Sequence, residues 1–380
     1  MPERILLLSW TIPPETSGSA VVVGNLAKQF SRAEMVVAGE RAWGRPAVAW
    51  RHEWAQPAYV TAGWPPGLRG GRWWRWLQFP LLVARCLYLV RKHRCTSVVV
   101  VFPSEAFLLA GYLTARWTGA RLVPYFHNTY VENRTGLSLR FARWLQRRVF
   151  ASAAHVFVIS EGMVDLYRER YPGLACSALP HSFNEDLPVF TPPPGPGTPL
   201  HFVISGTVNE SCREAVVRVC AAIAQVPDAA LTILSGTSEA HLRQAGILRD
   251  GVRRATVSRD EVIARLGQAD IVVLAHGFHG GLSADEYRTI FPTKTVEYLI
   301  CGRPILAHAP AGCDLTRFLL EHDCALVVTD PSTQALLDAI ARLRSDATLR
   351  SRLVRNALEA ARAFRAPRVA AILRTTLQEA

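Results

Sequence analysis

A chain of 380 residues exceeds the size at which one hydrophobic core keeps growing, and its 49% hydrophobic content can fill two domains of ordinary size. Its eight cysteines show no CxxC and no Cys/His spacing of a structural zinc site, so they exclude a metal-stapled fold and read as small buried hydrophobes of a reducing compartment. The net charge of +12 lies wholly in residues 1–184, which carry 22 Lys and Arg against 10 Asp and Glu, and the remainder is balanced.

The opening run RILLLSW breaks at Pro13-Pro14. It is too short for the apolar region of a secretory signal and lacks a basic start, so it reads as a first strand. The turn after it runs from Trp10 to Ala20 and closes on Ser17, Gly18 and Ser19 ahead of a helical stretch that continues to Phe30. Small residues and backbone N–H groups at a helix start suit anionic oxygens, although an ordinary strand-to-helix turn has the same composition and no full GxGxxG is present.

From Leu68 to Arg94 cations and aromatics interleave, with Arg72, Trp73, Trp74 and Arg75 at the centre, and Arg140 to Arg148 repeats the theme. This is the composition of a helix lying in an anionic membrane interface; a helix packed on a sheet with its tryptophans inward is the alternative. The apolar stretch Leu77 to Val90 contains Pro80 and Arg85 and is shorter than the roughly 20 residues of a membrane span. No transmembrane segment is therefore expected, and the chain reads as soluble or peripheral. Nucleic acid is not the expected polyanion, because no binding motif or stacking platform accompanies the charge.

SVVVVF, RLVPYF and HVFVIS continue the first half as buried strands separated by amphipathic helical stretches. His127 emerges at the carboxyl end of RLVPYF, where an α/β protein builds its site. The run Pro180-His181-Ser182-Phe183-Asn184 follows the strand-like ALPHSF start, and residues 185–200 (EDLPVFTPPPGPGTPL) read as a proline-stiffened linker. After it HFVISG, ALTILSG, DIVVLAH, RPILAH and CALVVT repeat the βα rhythm. The expected fold is therefore α/β: two doubly wound Rossmann-like domains, residues 1–184 and 201–364, able to face one central cleft with their carboxyl edges. A final helical stretch is broken at Pro367.

The most informative segment is PTKTVEYLICGRPIL, from Pro292 to Leu306. Pro292 and Thr293 read as a helix start, Gly302 as its end, and Lys294 and Glu297 share a face three residues apart. Read as chemistry, the helix start and Lys294 receive phosphate charge while Glu297 accepts hydrogen bonds from ribose hydroxyls; read plainly, the two form a pair on a solvated surface.

This segment resembles the donor-binding helix of glycosyltransferase family 4 and its GT-B relatives, where Pro-Ser/Thr-Lys leads to Glu-Tyr-Leu and Gly-Arg-Pro. PPETSGSA, the His-Asn after RLVPYF, HVFVISEGM and SRDEVIARLGQADIVVLAH follow the same order as in that family. The resemblance implies the GT-B architecture and a retaining transfer from a nucleotide diphosphate sugar, with no cofactor and no metal. It gives Glu297 the donor ribose, the turn Ser17–Gly18–Ser19 the diphosphate or acceptor, and His127 a place near the reacting sugar, with the residues from about 365 to 380 crossing back to the first domain.

The chain departs from the family pattern at two places. Thr289 stands where many relatives have a Glu that touches the donor sugar, which passes that role to the loop with His276, Gly280 and Gly281, where Asp285 and Glu286 are also at hand. The phosphate-gripping Arg and Lys after the first strand of the second domain are replaced by Ser205-Gly206-Thr207, leaving backbone N–H groups of Gly206 and Thr207, with Thr293 and Lys294, to meet the diphosphate. The expectation is a cytoplasmic enzyme, peripheral on the inner face of the membrane, acting on a saccharide or lipid-linked acceptor. A catalytically silent nucleotide-sugar-binding protein and a sugar-nucleotide epimerase of the same shape are the alternatives.

Overall fold

A computed structural model describes residues 3–15, 17–44, 54–55, 57–65 and 70–379, without the side chains of Arg72 and Asp260. The chain divides into two units, Met1–Asn184 with Arg365–Ala380, and Glu185–Phe364.

Among the described residues, the first unit is built on seven strands: β1 Ile5–Ser9, β2 Met35–Arg41, β3 Pro57–Ala62, β4 Ser97–Phe102, β5 Arg121–Phe126, β6 Val156–Val158 and β7 Cys176–Ala178. They pair in the order β3-β2-β1-β4-β5-β6-β7, every pair parallel. The all-apolar faces of β1 and β4 require cover on both sides, and helices supply it. The helix Glu105–Thr118 lies against β4, where a Cβ on Gly111 would meet Val100 at 2.8 Å. Glycine is what permits that approach.

The second unit holds β8 Leu200–Ser205, β9 Ala229–Leu234, β10 Val252–Ala255, β11 Ile271–Ala275, β12 Ile305–His308 and β13 Leu326–Val328, in the order β10-β9-β8-β11-β12-β13, again all parallel. Both sheets reverse their winding beside the first strand, between β1 and β4 in one and between β8 and β11 in the other. Crevices at such reversals open beyond the carboxyl ends of the strands, which is where ligands of these sheets bind.

Three boundaries differ from the sequence reading. The run ALPHSF is strand only to Ala178, because Pro180 has no N–H to offer a ladder. The aromatic stretch forms two helices, Gly71–Leu77 and Phe79–His93, whose junction Gln78 donates to and accepts from the backbone of Ala62. The C-terminal break falls at residues 362–365, not at Pro367, which sits in the first turn of the helix Ala366–Glu379 where its missing N–H leaves no helical bond unmade.

That last helix completes the first unit. Ala366 N–H donates to the Phe183 carbonyl at 2.9 Å, and Val369, Ala370, Leu373 and Leu377 enter the core. Arg374 lies 4.1 Å over the Phe30 ring and reaches Glu34 at 3.0 Å. No described helix is long and apolar enough to cross a membrane. Leu373 is fully buried, so Leu373→Ala is expected to destabilise the first unit by about 2–5 kcal/mol, read as a lowered denaturant midpoint at unchanged slope.

Candidate functional site

In the first unit, Ser17 caps the helix Gly18–Ala27, its Oγ accepting from Ala20 N–H at 3.3 Å and lying 3.1 Å from Thr11 Oγ1. The same turn carries Ser19, whose hydroxyl is 2.9 Å from His127 Nδ1. Ser17, Gly18, Ser19 and His127, far apart in sequence, thus meet at the carboxyl edge of the sheet. His127 packs edge-on against Tyr125 at 4.3 Å and faces the ring of His181 at 6.2 Å. The stretch with His181 is held in place by Asn25, which donates to the Ser182 carbonyl at 2.6 Å.

Burial, with His181 beside it, holds the His127 imidazole well below the ordinary histidine value, so the ring is neutral near pH 7. Its Nε2 is buried and has no hydrogen-bond partner among the described residues. A neutral ring engaged at Nδ1 and unpartnered at Nε2 has one nitrogen left that can bond an added hydroxyl or oxygen.

In the second unit β8 ends on Ser205, whose N–H donates to the Tyr298 hydroxyl at 2.7 Å. Tyr298 lies in the buried helix Thr295–Ile300, so this bond fixes the helix against the strand end. The helix starts two residues after Thr293, with Lys294 at its cap, and the chain leaves it through Gly302 in the left-handed conformation (φ 72°). Lys294 runs over Gly206, itself at φ 96°, where an added Cβ would lie 3.5 Å from the lysine Cδ. Among the described residues no carboxylate ion-pairs with its ammonium.

Glu297 is 7% exposed and ion-paired with Arg259, which stands just after Ser258 at the head of a capping box closed by Glu261. Burial raises the Glu297 carboxyl above the ordinary glutamate value, while Arg259, and at longer range Lys294, pull it back. Lys294 and Glu297 are therefore not a plain surface pair. The sequence reading passed over Arg259; the Ser-x-x-Glu capping signature at Ser258–Glu261 marks the turn but not its partner across the fold.

The remaining expectations resolve individually. The Gly206 N–H is taken by the Leu234 carbonyl at 2.9 Å, so Gly206 is called for by its left-handed φ and not as a donor, and Thr207 is exposed next to it. Thr293 is half-buried in the turn ahead of Lys294. His276 is buried and its Nε2 donates to the Tyr287 carbonyl at 2.9 Å, which commits that nitrogen to the fold. Thr289 Oγ1 bonds back to the Asp285 carbonyl at 2.8 Å in its own helix. The space beside Gly280 and Gly281 is filled by the Tyr287 hydroxyl and Glu210, so this loop packs on its own chain.

On the basic, aromatic stretch, Arg75 makes a two-point contact with Glu40 at 3.0 and 3.1 Å and Trp74 donates to the Ala62 carbonyl at 2.9 Å. Trp73 is 78% exposed, and the Arg72 side chain lies outside the described residues. Among the described residues no cluster of three or more His, Cys, Asp or Glu assembles that would hold a metal.

Residues 17–173 match the family model described as a glycosyl transferase 4-like domain. Among solved structures the chain is similar to a sucrose-phosphate synthase from Thermosynechococcus elongatus, with a TM-score of 0.74 at 16% identity over 99% of each chain. It is similar to Anabaena HepE in complex with UDP and glucose, at 0.69 and 16% over all of both chains. It also resembles an α,α-trehalose-phosphate synthase (UDP-forming) from Burkholderia xenovorans in complex with glucose-6-phosphate, at 0.65 and 13% over 99% of this chain and all of the other. These likenesses establish the GT-B fold. No curated protein matches the chain.

The Arg259–Glu297 pair has a defined pH signature. A carboxyl raised in the folded state favours folding when protonated; that contribution is full below about 4.5 and is lost as pH rises through the folded-state value. Arg259→Ala raises that value further. It is expected to cost about 1–3 kcal/mol near pH 7 and clearly less near pH 5, with Glu297→Gln restoring most of the loss in the double variant, as measured by urea unfolding at both pH values.

Proposed function

We propose that this chain, a glycosyl transferase 4-like domain over residues 17–173 in a GT-B fold, transfers a sugar from a nucleoside diphosphate sugar to a saccharide or lipid-linked acceptor. The observation that carries this reading is Lys294. Its ammonium has no carboxylate partner among the described residues, its alkyl chain passes over a glycine at a strand end, and it stands three residues before a buried carboxylate held by an arginine.

Each group has a task. As the bond between the anomeric carbon and the diphosphate oxygen breaks, the departing diphosphate gathers negative charge, and Lys294 with the backbone at Thr207 and Thr293 stabilises it. Glu297, held in place by Arg259, accepts from the ribose hydroxyls. His127, neutral and unpartnered at Nε2, contacts the sugar in transfer, and Ser17, Gly18 and Ser19 form the anion- or acceptor-facing turn beside it. We assign the reaction a retaining course with no metal or other cofactor, following the family 4 resemblance. The HepE structures hold UDP, and UDP with glucose, so UDP and UDP-glucose are the first ligands to try.

A peripheral contact with an anionic membrane on its cytoplasmic side fits the charge of the first unit. Since Trp74 and Arg75 are bonded internally, we place that contact on Trp73 and Leu77 and on the helix Gly136–Ser152, whose Arg140, Arg143, Trp144, Arg147 and Arg148 line one exposed hollow. Trp76 joins the two helices by its edge contact with Phe141.

Calorimetry with UDP tests the donor assignment. Glu297→Ala and Lys294→Ala are each expected to weaken UDP by about 10- to 100-fold, the range of a lost charged hydrogen bond. His127→Ala should leave UDP affinity intact and remove slow UDP-glucose hydrolysis and transfer. Undiminished UDP affinity in both unit-two variants refutes the assignment, and UDP binding without turnover by the parent protein favours a silent binding protein. For the membrane, Arg143→Gln with Arg147→Gln is expected to weaken binding to phosphatidylglycerol vesicles about 30-fold at low salt, at about 1 kcal/mol per arginine, whereas Trp74→Phe leaves it unchanged.

A further inference from the structure

The winding reversal between β1 and β4 opens a cavity of about 200 Å³ at the carboxyl edge of the first unit. Trp10, directly after β1, forms part of its wall, with Ser104 and Glu105 just beyond β4, and Arg75, Trp76 and Arg134 close it. At a liquid share of about 30 Å³ per water this is room for six or seven waters, the scale of one sugar ring and smaller than a drug-sized pocket. None of these residues has been given a task by the proposed donor chemistry.

The charges in this cavity are balanced. Arg75 is held by Glu40 through two contacts, and Arg134 by Glu105 at 3.0 Å, with both carboxylates about nine-tenths buried. An anion entering here would meet cations already paired and would add its own desolvation cost. A lipid tail would meet three charged side chains, Arg75, Glu105 and Arg134. What the wall does offer is planar, two-sided hydrogen bonding from the ion pairs beside two indoles. Arg75 lies 4.5 Å over the Trp10 ring, and Trp76 is fixed by Phe79 and Phe141.

Two polar groups stand ready within that wall. The indole N–H of Trp10 is buried and has no acceptor among the described residues. Ser104 precedes the helix Glu105–Thr118, yet its hydroxyl makes no capping bond. Such donors, with rigid aromatic faces and paired charges, match a ring that carries hydroxyls on its rim and C–H groups on its faces. The cavity also lies one strand from His127, since β4 pairs with β5 and Phe102 is opposite Phe126.

We propose that this cavity binds one uncharged sugar ring of the acceptor, so that the acceptor is recognised at an unphosphorylated, non-acidic saccharide unit. The word acceptor rests on the glycosyltransferase reading above; the binding of a neutral sugar does not. The indoles supply the flat contact, Trp10 Nε1–H and the Ser104 hydroxyl bond ring hydroxyls, and the two ion pairs orient the rest.

The full-length protein is titrated with a panel of uncharged disaccharides of glucose, mannose, galactose and rhamnose, and in parallel with glucose 6-phosphate, by calorimetry and by the shift of the Trp10 indole N–H resonance, assigned through Trp10→Phe. At least one uncharged disaccharide is expected to move that resonance, with an affinity that changes less than about twofold between about 50 and about 300 mM salt, as for a neutral ligand. Trp10→Leu and Arg134→Gln should each weaken it at least about tenfold, the scale of one lost polar contact at a bound sugar, while UDP affinity stays at the parent value. Glucose 6-phosphate binding tighter than every neutral sugar, with affinity falling as salt rises, overturns the proposal. So does a panel that leaves the Trp10 resonance unmoved. Should a substitution unfold the chain, the resonance shift in the parent protein still decides. Loss of UDP binding by the parent would instead count against the donor assignment, so the two readings fail separately.

Discussion

A carboxylate removed from water must be compensated or neutralised, and the second unit is organised around that requirement at Glu297. Burial drives its carboxyl upward and Arg259 restrains the rise. The arginine is placed by the Ser258–Glu261 capping box, and the helix bearing Glu297 by Tyr298 against the Ser205 N–H. Moving any of these would leave the charge without its counterion. The site is accordingly stiff on the Glu297 side, while the alkyl chain of Lys294 passes over Gly206. On one short helix and its cap, then, stand a carboxylate that has its counterion and an ammonium that has no carboxylate partner among the described residues.

The first unit uses burial in the opposite sense. A histidine deprived of water gives up its charge, and His127 does so with Ser19 on one nitrogen and nothing on the other. Its sheet edge carries a second polar constellation, the Arg75–Glu40 and Arg134–Glu105 pairs, in which basic residues lose their excess charge to buried acids. The positive character of this half is therefore expressed on its outer helices, above all along Gly136–Ser152, where Arg140, Arg143, Arg147 and Arg148 are exposed.

The legible parts of the fold were those with uninterrupted apolar runs. ILLLS, SVVVVF and IVVLA are buried on both faces and could hardly be read otherwise. β3 and β10 escaped notice because strands at a sheet edge are half-exposed, and PAYVTA and VRRA mix polar with apolar residues in a way that loops also do; β2 was missed although its first five residues are buried. Helix ends followed local chemistry at Ser17 and Gly302 but slipped near Thr293, where a turn precedes the helix, and at Pro367, which starts a helix as readily as it stops one.

By itself the sequence determined two βα-wound halves, a histidine at a strand end, a Lys and Glu one helical turn apart, and the side of the molecule that holds the charge, because each is a matter of spacing or composition along a short stretch. Only the tertiary structure decided that Arg259 is the partner of Glu297, that Ser19 is the partner of His127, that Lys294 passes over Gly206, and that Arg75 is neutralised by Glu40. Those contacts join residues 35 to 108 positions apart, or strand ends brought together by parallel pairing. No local periodicity encodes such pairs, since they arise from the crossovers that return the chain to the same sheet edge.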